Sequence, residues 1–519
     1  MIPLPPERSL PLRVPIGDGE SLDSWVEATA RRNGMSARRL LTAFGLRPQH
    51  LPGYQFHALV LGLPPPALRR IERQAGLPDG RLATAVADRY NVLGWEMLHG
   101  SRYCPHCLAG HQGRWQLRWR LPWVFACTRH RLLMPDRCPG CGQLPRRHLS
   151  HPTGLNPPGT CPNLIRRDQI CGTDLTTTPH QTLPARDRRV AAQRWLDHRL
   201  TDSDNGDPAA VTGLVDLQAV ATWIRSRSTA RDFEPYGPAA VEAFTRYITH
   251  RSDGRRPEQH AFTDPLLVAA VVTHAVALIR ADTPTAVLPV LTPLLGAAGH
   301  TPINKRGRTQ PMRISVTRWR TLSPALQLRL LNAANPALAP LDRLRFRTVT
   351  TNPRLPDTTI PASQRVVQRV RWIPQMLWPE WAVRLLPADG VHLDTLRTTV
   401  SAALLVPGHP ERRLTTIAAD LHASTATSTL RRLMRHGTGV LEVICRLADH
   451  LDTHGAPIDY QRRRAAISTD LLDPDQWWQV CYDAHAHPGE DRRHLDARRY
   501  LYQLLTGADL TSPAPARCG

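Results

Sequence analysis

Seven of the ten cysteines in this chain fall between Cys104 and Cys171, and this clustering constrains the fold more than any other feature of the sequence. Residues 138–184 are also rich in proline and glycine, so something other than a hydrophobic core must fix their loops. Residues 1–15 lack the basic and apolar blocks of a secretory signal. Clustered Cys-x-x-Cys pairs in such a chain favour metal binding over disulfides. We therefore expect a loop-rich region organised by metal ions.

The clustered cysteines divide into two candidate metal sites. The first set is Cys104-Pro-His-Cys107 with Cys127-Thr-Arg-His130. The second set is Cys138-Pro-Gly-Cys141 with Cys161 and Cys171, and His148 and His151 are alternative fourth ligands. A two-residue gap lets a tight turn direct both ligands at one ion, and four protein ligands leave no position for a reactive water. We expect two structural Zn²⁺ ions, with sequential and cross-braced pairing both open.

Some cysteines have simpler interpretations. Cys161 or Cys171 alone could be a buried thiol. Three further cysteines are isolated in sequence, and we expect them to be inert: Cys445, Cys481 and Cys518.

Three tryptophans lie between the two halves of the first candidate site: Trp115, Trp119 and Trp123. The spacing of four places Trp115 and Trp119 on one helical face, with Arg114 and Arg118 beside them. We expect the rings to pack over the metal loops. Stacking on exposed nucleic-acid bases is the alternative.

The charge of the chain favours a polyanionic partner. It has 66 Lys and Arg residues against 44 Asp and Glu, a formal net charge of +22. Residues 101–150 hold nine arginines and one aspartate, and residues 301–371 hold thirteen arginines, one lysine and two aspartates. We interpret both windows as a nucleic-acid footprint, with Arg306, Arg308 and Arg313 as candidate DNA contacts. Two solvated basic surfaces without a ligand are the alternative.

Two protein classes are excluded by the sequence. The only lysine, Lys305, follows Asn304 and precedes Arg306, whereas a P-loop requires Gly-Lys-Ser/Thr. If the process consumes ATP, another protein supplies the ATPase. No apolar run reaches the roughly 18 residues of a membrane span, the longest candidate being residues 265–279. We expect a cytoplasmic protein with no membrane partner.

The helical patterns predict a mainly α, multidomain chain. We expect an N-terminal helix-turn-helix part (1–100), an irregular double zinc-binding domain (101–180), a helical middle region with a basic patch (181–400) and a C-terminal helical, helix-turn-helix-like region (401–519). Ser21 and Ser36 can cap the first two helices, and further helices are predicted at residues 67–74, 81–90 and 187–200. A pair of helices joined by a short turn has the helix-turn-helix shape, and any helical hairpin is the alternative.

A second recognition element is predicted at residues 414–435. Ile417, Ala418 and Leu421 pack the first helix, and Ser424 can cap the second. Four side chains of this element would face outward, towards a DNA major groove: Thr425, Ser428, Thr429 and Arg432. His422 stands where glycine is usual, which weakens the match, and a neutral helical hairpin is the alternative. Before this element, Trp372, Trp378 and Trp381 are predicted core anchors.

The sequence resembles the TniQ/TnsD family of transposon target-selection proteins. The resemblance lies in Leu10-Pro-Leu-Arg, Gly19-Glu-Ser-Leu-Asp-Ser-Trp25, Tyr103-Cys-Pro-His-Cys-Leu108, Trp115, Trp119, Leu121-Pro-Trp-Val-Phe-Ala-Cys-Thr-Arg-His130 and Arg137-Cys-Pro-Gly-Cys-Gly142. It covers roughly the first third of the chain.

This resemblance implies a function. It indicates a non-enzymatic adaptor with a helix-turn-helix and a zinc finger, which binds double-stranded target DNA or an RNA-guided complex. Such a protein recruits an AAA+ ATPase regulator of transposition (TnsC/TniB-like), and a separate DDE-type transposase cuts and joins. By the same resemblance, Cys104, Cys107, Cys127 and His130 hold one zinc, while Cys138, Cys141 and Cys161 belong to the second.

Two other functions are open from the sequence. An HNH-like nuclease would use His148 or His151 as its base, but Asn163 is the only nearby candidate for a further metal ligand and no acid is adjacent. A zinc-containing transcription regulator would need a small-molecule or dimerisation domain, and neither is evident. A homodimer is compatible with the sequence.

Overall fold

The structure is a computed structural model, and it describes residues 9–46, 56–147, 156–166, 169–252, 264–295, 321–335, 338–356, 362–385, 391–409, 414–421, 427–433 and 439–510. These residues are mainly helical, as predicted, with a few short strands. The chain forms two compact units. The N-terminal unit is Met1–Asp282, Pro289–His300 and Thr321–Ser323, and the C-terminal unit is Thr283–Leu288, Thr301–Arg320 and Pro324–Gly519. The finer division into four domains stays a prediction.

The described N-terminal unit begins with α1 (Leu22–Arg32), α2 (Ala37–Ala43), α3 (Phe56–Leu61) and α4 (Pro65–Ala75). The side chain of Ser36 accepts a hydrogen bond from the amide of Arg39 and so caps α2. Gly76 ends α4 with a left-handed backbone, which glycine adopts without strain. Trp25 stacks on Phe44 with ring centroids 6.1 Å apart, in a buried core that joins α1 to α2.

Two local predictions in this segment are wrong. Ser21 precedes α1, but its hydroxyl donates to the carbonyl oxygen of Trp115 at 3.4 Å and does not cap the helix. Residues 81–90 form parts of two 3₁₀ helices, Leu82–Ala85 and Ala87–Leu93. They are separate because Val86 between them is extended, with φ −116° and ψ 158°.

The cysteine-rich region contains little regular structure. Its elements are α5 (Pro105–Gly110), a 3₁₀ helix (Leu117–Arg120), β1 (Ala126–Cys127), β2 (Leu132–Leu133), β3 (Leu164–Arg166) and β4 (Gln169–Ile170). Strands β1 and β2 form one antiparallel hairpin, with Cys127 opposite Leu132, and β3 and β4 form another. Trp115 lies outside the 3₁₀ helix, so the predicted shared helical face is wrong. The rings of Trp115 and Trp119 are nevertheless buried in edge contact, 5.9 Å apart, which confirms that they pack in the interior.

A group of longer helices completes the N-terminal unit. They are α6 (Arg188–Asp204), α7 (Pro208–Arg227), α8 (Pro238–Ser252) and α9 (Pro265–Arg280), with a 3₁₀ helix (Ala230–Tyr236) before α8. Asp187, Asp207 and Asp264 cap α6, α7 and α9 by accepting a backbone amide hydrogen bond. Helices α6, α7 and α9 pack against one another. None of the described helices has both the length and the apolar character that crossing a bilayer requires.

Helix α10 (Pro284–Leu295) belongs partly to each unit. The C-terminal unit then contains α11 (Pro324–Ala334), α12 (Pro340–Phe346), α13 (Ala362–Trp372), α14 (Pro379–Val383), α15 (Leu393–Ala403), α16 (Leu414–Ile417), a 3₁₀ helix (Ala419–Leu421), α17 (Thr427–Leu433), α18 (Gly439–His454), α19 (Tyr460–Ala466), α20 (Pro474–Asp483) and α21 (Asp491–Thr506). Helices α12 to α18 contribute to one buried apolar core.

The predicted tryptophan anchors of this unit are only partly correct. Trp372 and Trp378 pack against the core, as predicted. Trp381 is 55% exposed, so its predicted role as an anchor is wrong. On the short helix α14 the neighbouring Ala382 takes the buried position, and Trp381 faces outward.

Candidate metal centres

The first four predicted ligands meet at one point: Cys104, Cys107, Cys127 and His130. The three sulfurs lie 3.4, 3.3 and 3.5 Å from Nδ1 of His130, and the sulfurs of Cys107 and Cys127 are 3.7 Å apart. A tetrahedral ion with bonds of about 2.3 Å to sulfur and about 2.0 Å to nitrogen spaces two sulfurs by about 3.8 Å and sulfur and nitrogen by about 3.5 Å. The four ligand atoms therefore enclose a space that fits such an ion.

Tight turns place these ligands. Cys104 immediately precedes α5, and its sulfur accepts a hydrogen bond from the amide of Cys107 at 3.4 Å, so one turn directs both sulfurs inward. Cys127 ends β1, and the turn into β2 contains His130 and passes through Arg131 at a φ of 50°. The two-residue gaps between Cys104 and Cys107 and between Cys127 and His130 thus direct both ligands of each pair to one point, as the sequence predicted.

Helix α6 fixes this hairpin from a distant part of the sequence. The side-chain oxygen of the fully buried Gln193 accepts hydrogen bonds from the amides of Phe125 and Ala126 at 2.9 and 3.1 Å. Asp197 accepts a hydrogen bond from the hydroxyl of Thr128 at 3.0 Å, and burial raises the pKa of its carboxyl group. The position of the first centre therefore depends on contacts that the cysteine spacing does not reveal.

The second centre consists of four cysteines: Cys138, Cys141, Cys161 and Cys171. The sulfurs of Cys138 and Cys171 are 3.6 Å apart, and those of Cys141 and Cys161 are 3.9 Å apart. The two sets of ligands are therefore sequential and not cross-braced. His148 and His151, the alternative fourth ligands, lie outside the described residues, and Cys171 completes the set without them.

Backbone and side-chain contacts hold the second centre together. The buried Asn163 donates to the sulfur of Cys141 at 3.8 Å and to the carbonyl of Leu144 at 2.9 Å, and its own carbonyl accepts from the amide of Cys171 at 2.8 Å. Asn163 is therefore engaged in support of the thiols, which removes the candidate ligand of an HNH-like site. A Cβ atom at Gly140 would lie 2.0 Å from the hydroxyl oxygen of Thr173, so any larger residue in this turn would displace that side chain.

The cysteines of the described residues are free thiols. The distances between sulfurs in both centres exceed the roughly 2.05 Å of a disulfide bond. Burial raises the pKa of Cys141 and of Cys161, so a positive ion is needed to favour their thiolates. Cys445 and Cys481 are buried and belong to neither group of ligands, and Cys518 lies outside the described residues.

A buried ion cluster joins α1 to the cysteine-rich region. Arg146 donates to Asp23 at 2.9 Å and to Glu27 at 2.7 Å, and Arg120 donates to Asp23 at 2.7 Å. The guanidinium of Arg146 also lies 5.0 Å from the ring centroid of Trp115. Burial raises the pKa of Asp23, but Arg146 and Arg120 outweigh this effect and hold it at about 2. Asp23 is therefore ionised at neutral pH.

Sequence reasoning missed this cluster, although a signal was present. Asp23 and Glu27 are four residues apart on α1, beside the apolar positions of Trp25 and Val26. Two carboxylates on a face that is otherwise buried require cationic partners, which the arginine-rich window supplies.

Many of the arginines that suggested a nucleic-acid footprint are structural instead. Five of the nine in residues 101–150 are buried or ion-paired: Arg102, Arg114, Arg118, Arg120 and Arg146. The structure describes the side chains of seven of the thirteen in residues 301–371, and four of these seven are buried: Arg343, Arg345, Arg347 and Arg369. The interpretation of both windows as continuous footprints is thus wrong in part, because charge counted along a sequence includes arginines that neutralise internal carboxylates and cap carbonyl groups.

The predicted DNA contacts are only partly described by the structure. Arg306, Arg308, Arg313 and Thr425 lie outside the described residues. On α17, Ser428 and Arg432 are exposed, whereas Thr429 is 5% exposed, so its predicted outward orientation is wrong. Thr429 shares the inner side of this short helix with the buried Leu430.

The fold and its sites define a mainly helical, strongly basic protein with two four-ligand centres that could each hold a metal ion. Residues 11–134 match the TniQ family model, which identifies a TniQ-family domain in this chain and confirms the resemblance over that segment. The match includes all four ligands of the first centre and ends before Cys138 of the second. No curated protein and no solved structure matches the chain significantly.

The TniQ domain is associated with the selection of transposition targets. Proteins of this family are non-catalytic adaptors that act with DNA and with other transposition proteins.

Proposed function

We propose that this chain is a non-enzymatic DNA-binding adaptor that selects the target site for DNA transposition and recruits an AAA+ ATPase regulator of the TnsC/TniB kind. The match of residues 11–134 to TniQ carries this proposal. Two closed four-ligand centres support it, since they offer no coordination position for a reactive water. The lone Lys305 lies outside any P-loop, so ATP hydrolysis belongs to the partner.

We assign a structural Zn²⁺ ion to each centre. Three thiolates with one imidazole, and four thiolates, are the ligand sets that tetrahedral structural zinc prefers. The region around them has short strands and few helices, so it gains little stability from regular structure. Zinc binding would contribute folding free energy of order 10 kcal/mol at each centre.

The exposed face of α2 is a candidate surface for reading DNA. Arg38, Arg39 and Thr42 are exposed, while Leu40 and Leu41 are buried against the core. The capped N-terminus of α2 follows a short turn from α1, and the first residues of a recognition helix are those that reach base edges. This arrangement supports the predicted N-terminal helix-turn-helix.

Helix α17 is a second candidate. Ser428, Arg431 and Arg432 are exposed at positions i, i+3 and i+4, so they share its outer side. Leu430 and Leu433 are buried on the opposite side, as a docked recognition helix requires. The basic segment with Arg306, Arg308 and Arg313 remains a proposed phosphate-contacting segment.

A transposition assay tests the function. Donor DNA, the AAA+ ATPase and the transposase of the same element would be combined with and without this chain, and insertion sites would be sequenced. We expect insertions to concentrate at defined loci only when the chain is present. An unchanged distribution of insertion sites would disprove target selection by this protein.

Footprinting on the recovered loci then separates two modes of targeting. Protection of naked DNA by the chain alone indicates direct reading of the sequence. Protection that appears only with an added RNA-guided complex indicates guided targeting.

A further inference from the structure

Helix α20 presents two large aromatic side chains to solvent. Trp478 is 63% exposed and Tyr482 is 75% exposed. Their spacing of four places them one above the other on the same side of the helix. Exposed aromatic groups that adjoin each other commonly mark interaction sites, since leaving them in water gains nothing for the fold.

The same helix is firmly attached through its other side. Trp477 stacks on His494 with ring centroids 5.8 Å apart, and its indole N–H donates to the carbonyl of Pro488 at 3.3 Å. Cys481 is 3% exposed on the same side. Asp473 and Gln476 form a reciprocal capping box at the first turn. The exposed Trp478 and Tyr482 therefore lie on a helix whose other side is packed, so their exposure does not come from a poorly packed helix.

The charge around this helix contrasts with the rest of the chain. Residues 469–491 contain six acidic residues and neither lysine nor arginine, in a chain whose net charge is +22. All six are exposed: Asp470, Asp473, Asp475, Asp483, Glu490 and Asp491. Asp475 lies one turn before Trp478, and Asp483 directly follows Tyr482. Arg492 and Arg493 follow this window directly, but the carboxylates beside the two rings disfavour a polyanion on this side of the helix.

We propose that the α20 face, defined as Asp475, Trp478, Gln479, Tyr482 and Asp483, docks an arginine- or lysine-rich amphipathic segment of a partner protein. The indole and phenol rings offer apolar area and attract a cation over their faces. The flanking carboxylates complement the positive charge of such a segment and disfavour an acidic one. This inference rests on exposure and charge at α20 and does not require the proposed role in transposition.

Peptide binding to the full chain tests the proposal. The probes are two fluorescein-labelled helical peptides of equal length and equal leucine content, one with arginine and one with glutamate at the polar positions. Fluorescence anisotropy would measure their affinity for the wild type, for W478A/Y482A and for D475R/D483R. The matched control is W381A/Y500A, which removes two aromatic side chains that are 55% and 60% exposed elsewhere in the same unit.

We expect the arginine peptide to bind the wild type and W381A/Y500A equally, and to bind both α20 variants at least about tenfold more weakly. Circular dichroism should show that all variants keep the helical content of the wild type. Equal binding of the arginine peptide to the wild type and W478A/Y482A overturns the proposal, as does preference for the glutamate peptide.

Two further measurements distinguish other occupants of this face. Light scattering that shows a wild-type dimer, lost only in W478A/Y482A, would make a second copy of this chain the occupant and overturn the proposal. Loss of duplex DNA binding in W478A/Y482A would make DNA the occupant of this face and would also overturn the proposal. Because target selection is assayed by insertion-site sequencing, its failure would be seen independently of these results.

Discussion

Buried arginines in this chain have two structural roles: they neutralise buried carboxylates, and they donate hydrogen bonds to backbone carbonyl groups. Arg120 and Arg146 are each 1% exposed and neutralise carboxylates that α1 carries into the interior. Arg369, also 1% exposed, pairs with Asp452 and donates to three carbonyl groups of the segment that follows α15: Leu404, Leu405 and Pro407. Such residues stabilise the fold and are not free to meet a phosphate.

Replacing Arg146 by methionine should destabilise the protein by about 3–5 kcal/mol, because Glu27 and Asp23 would lose a buried cationic partner. Urea unfolding followed by circular dichroism measures this change. The matched control is Arg129→Met, at an exposed position, where we expect a change within about 0.5 kcal/mol. Similar midpoints for the two variants would contradict the structural role of Arg146.

The Asp23 carboxylate should also impose a pH dependence. Its pKa is about 2 in the folded chain, below the roughly 3.9 of an unfolded one, so its ionic contribution is complete above about pH 4 and is lost as the pH falls towards 2. The difference in unfolding free energy between the wild type and Asp23→Asn should shrink over that interval. If the difference in unfolding free energy between the two proteins stayed constant from pH 6 to pH 2.5, the pKa of Asp23 would not be lowered by folding.

At the scale of elements, short helices and hairpins place the functional groups. Helix α2 has seven residues, and Ser36 caps it while its outer side carries Arg38 and Arg39. Helix α17 has the same length and similar exposure of charged groups. Helices this short are stable only because their inner sides pack on a core.

The double variant R38A/R39A should bind duplex DNA more weakly and lower the slope of log affinity against log salt by about two, if both side chains meet phosphates. Titrations at several salt concentrations measure that slope. R194A/R246A is the control, since it removes two exposed arginines from α6 and α8. A slope that falls equally in both variants would remove α2 from the DNA interface.

The sequence predicted elements best where spacing alone decides the outcome. The Cys-x-x-Cys and Cys-x-x-His spacings predict ligand sets that the structure brings together, and the helix that Ser36 caps is predicted too. The predicted helix at residues 81–90 is wrong because the extended backbone at Val86 interrupts an apparently continuous helical pattern. Partners distant in sequence, such as Gln193 behind the first centre, leave no local signal.

At the scale of the whole molecule, the two centres should hold about two zinc ions per chain. Cobalt substitution can tell them apart, because Cys127→Ser should leave a spectrum of four thiolates and Cys161→Ser one of three thiolates and an imidazole. Each variant should retain about one metal ion by atomic absorption. Loss of both ions from either single variant would contradict two separate centres.

The net charge of +22 should appear as a strong dependence of DNA binding on salt. Neutralising Arg306, Arg308 and Arg313 together is expected to lower the slope of log DNA affinity against log salt concentration by up to about three. An unchanged slope would place the phosphate contacts elsewhere in the chain.

The ion cluster between α1 and Arg146 has a consequence for dividing this chain. A fragment that stops near residue 100 would keep Glu20, Asp23 and Glu27 but lose the three arginines that form ion pairs with them, Arg114, Arg120 and Arg146. The buried carboxylates of α1 would then lack their paired cations, which destabilises the fragment by several kcal/mol (about 3–5 for each broken buried pair). The opening helices and the cysteine-rich region are therefore expected to behave as one folding unit, so a chimera that exchanges them between proteins should keep both segments from the same parent.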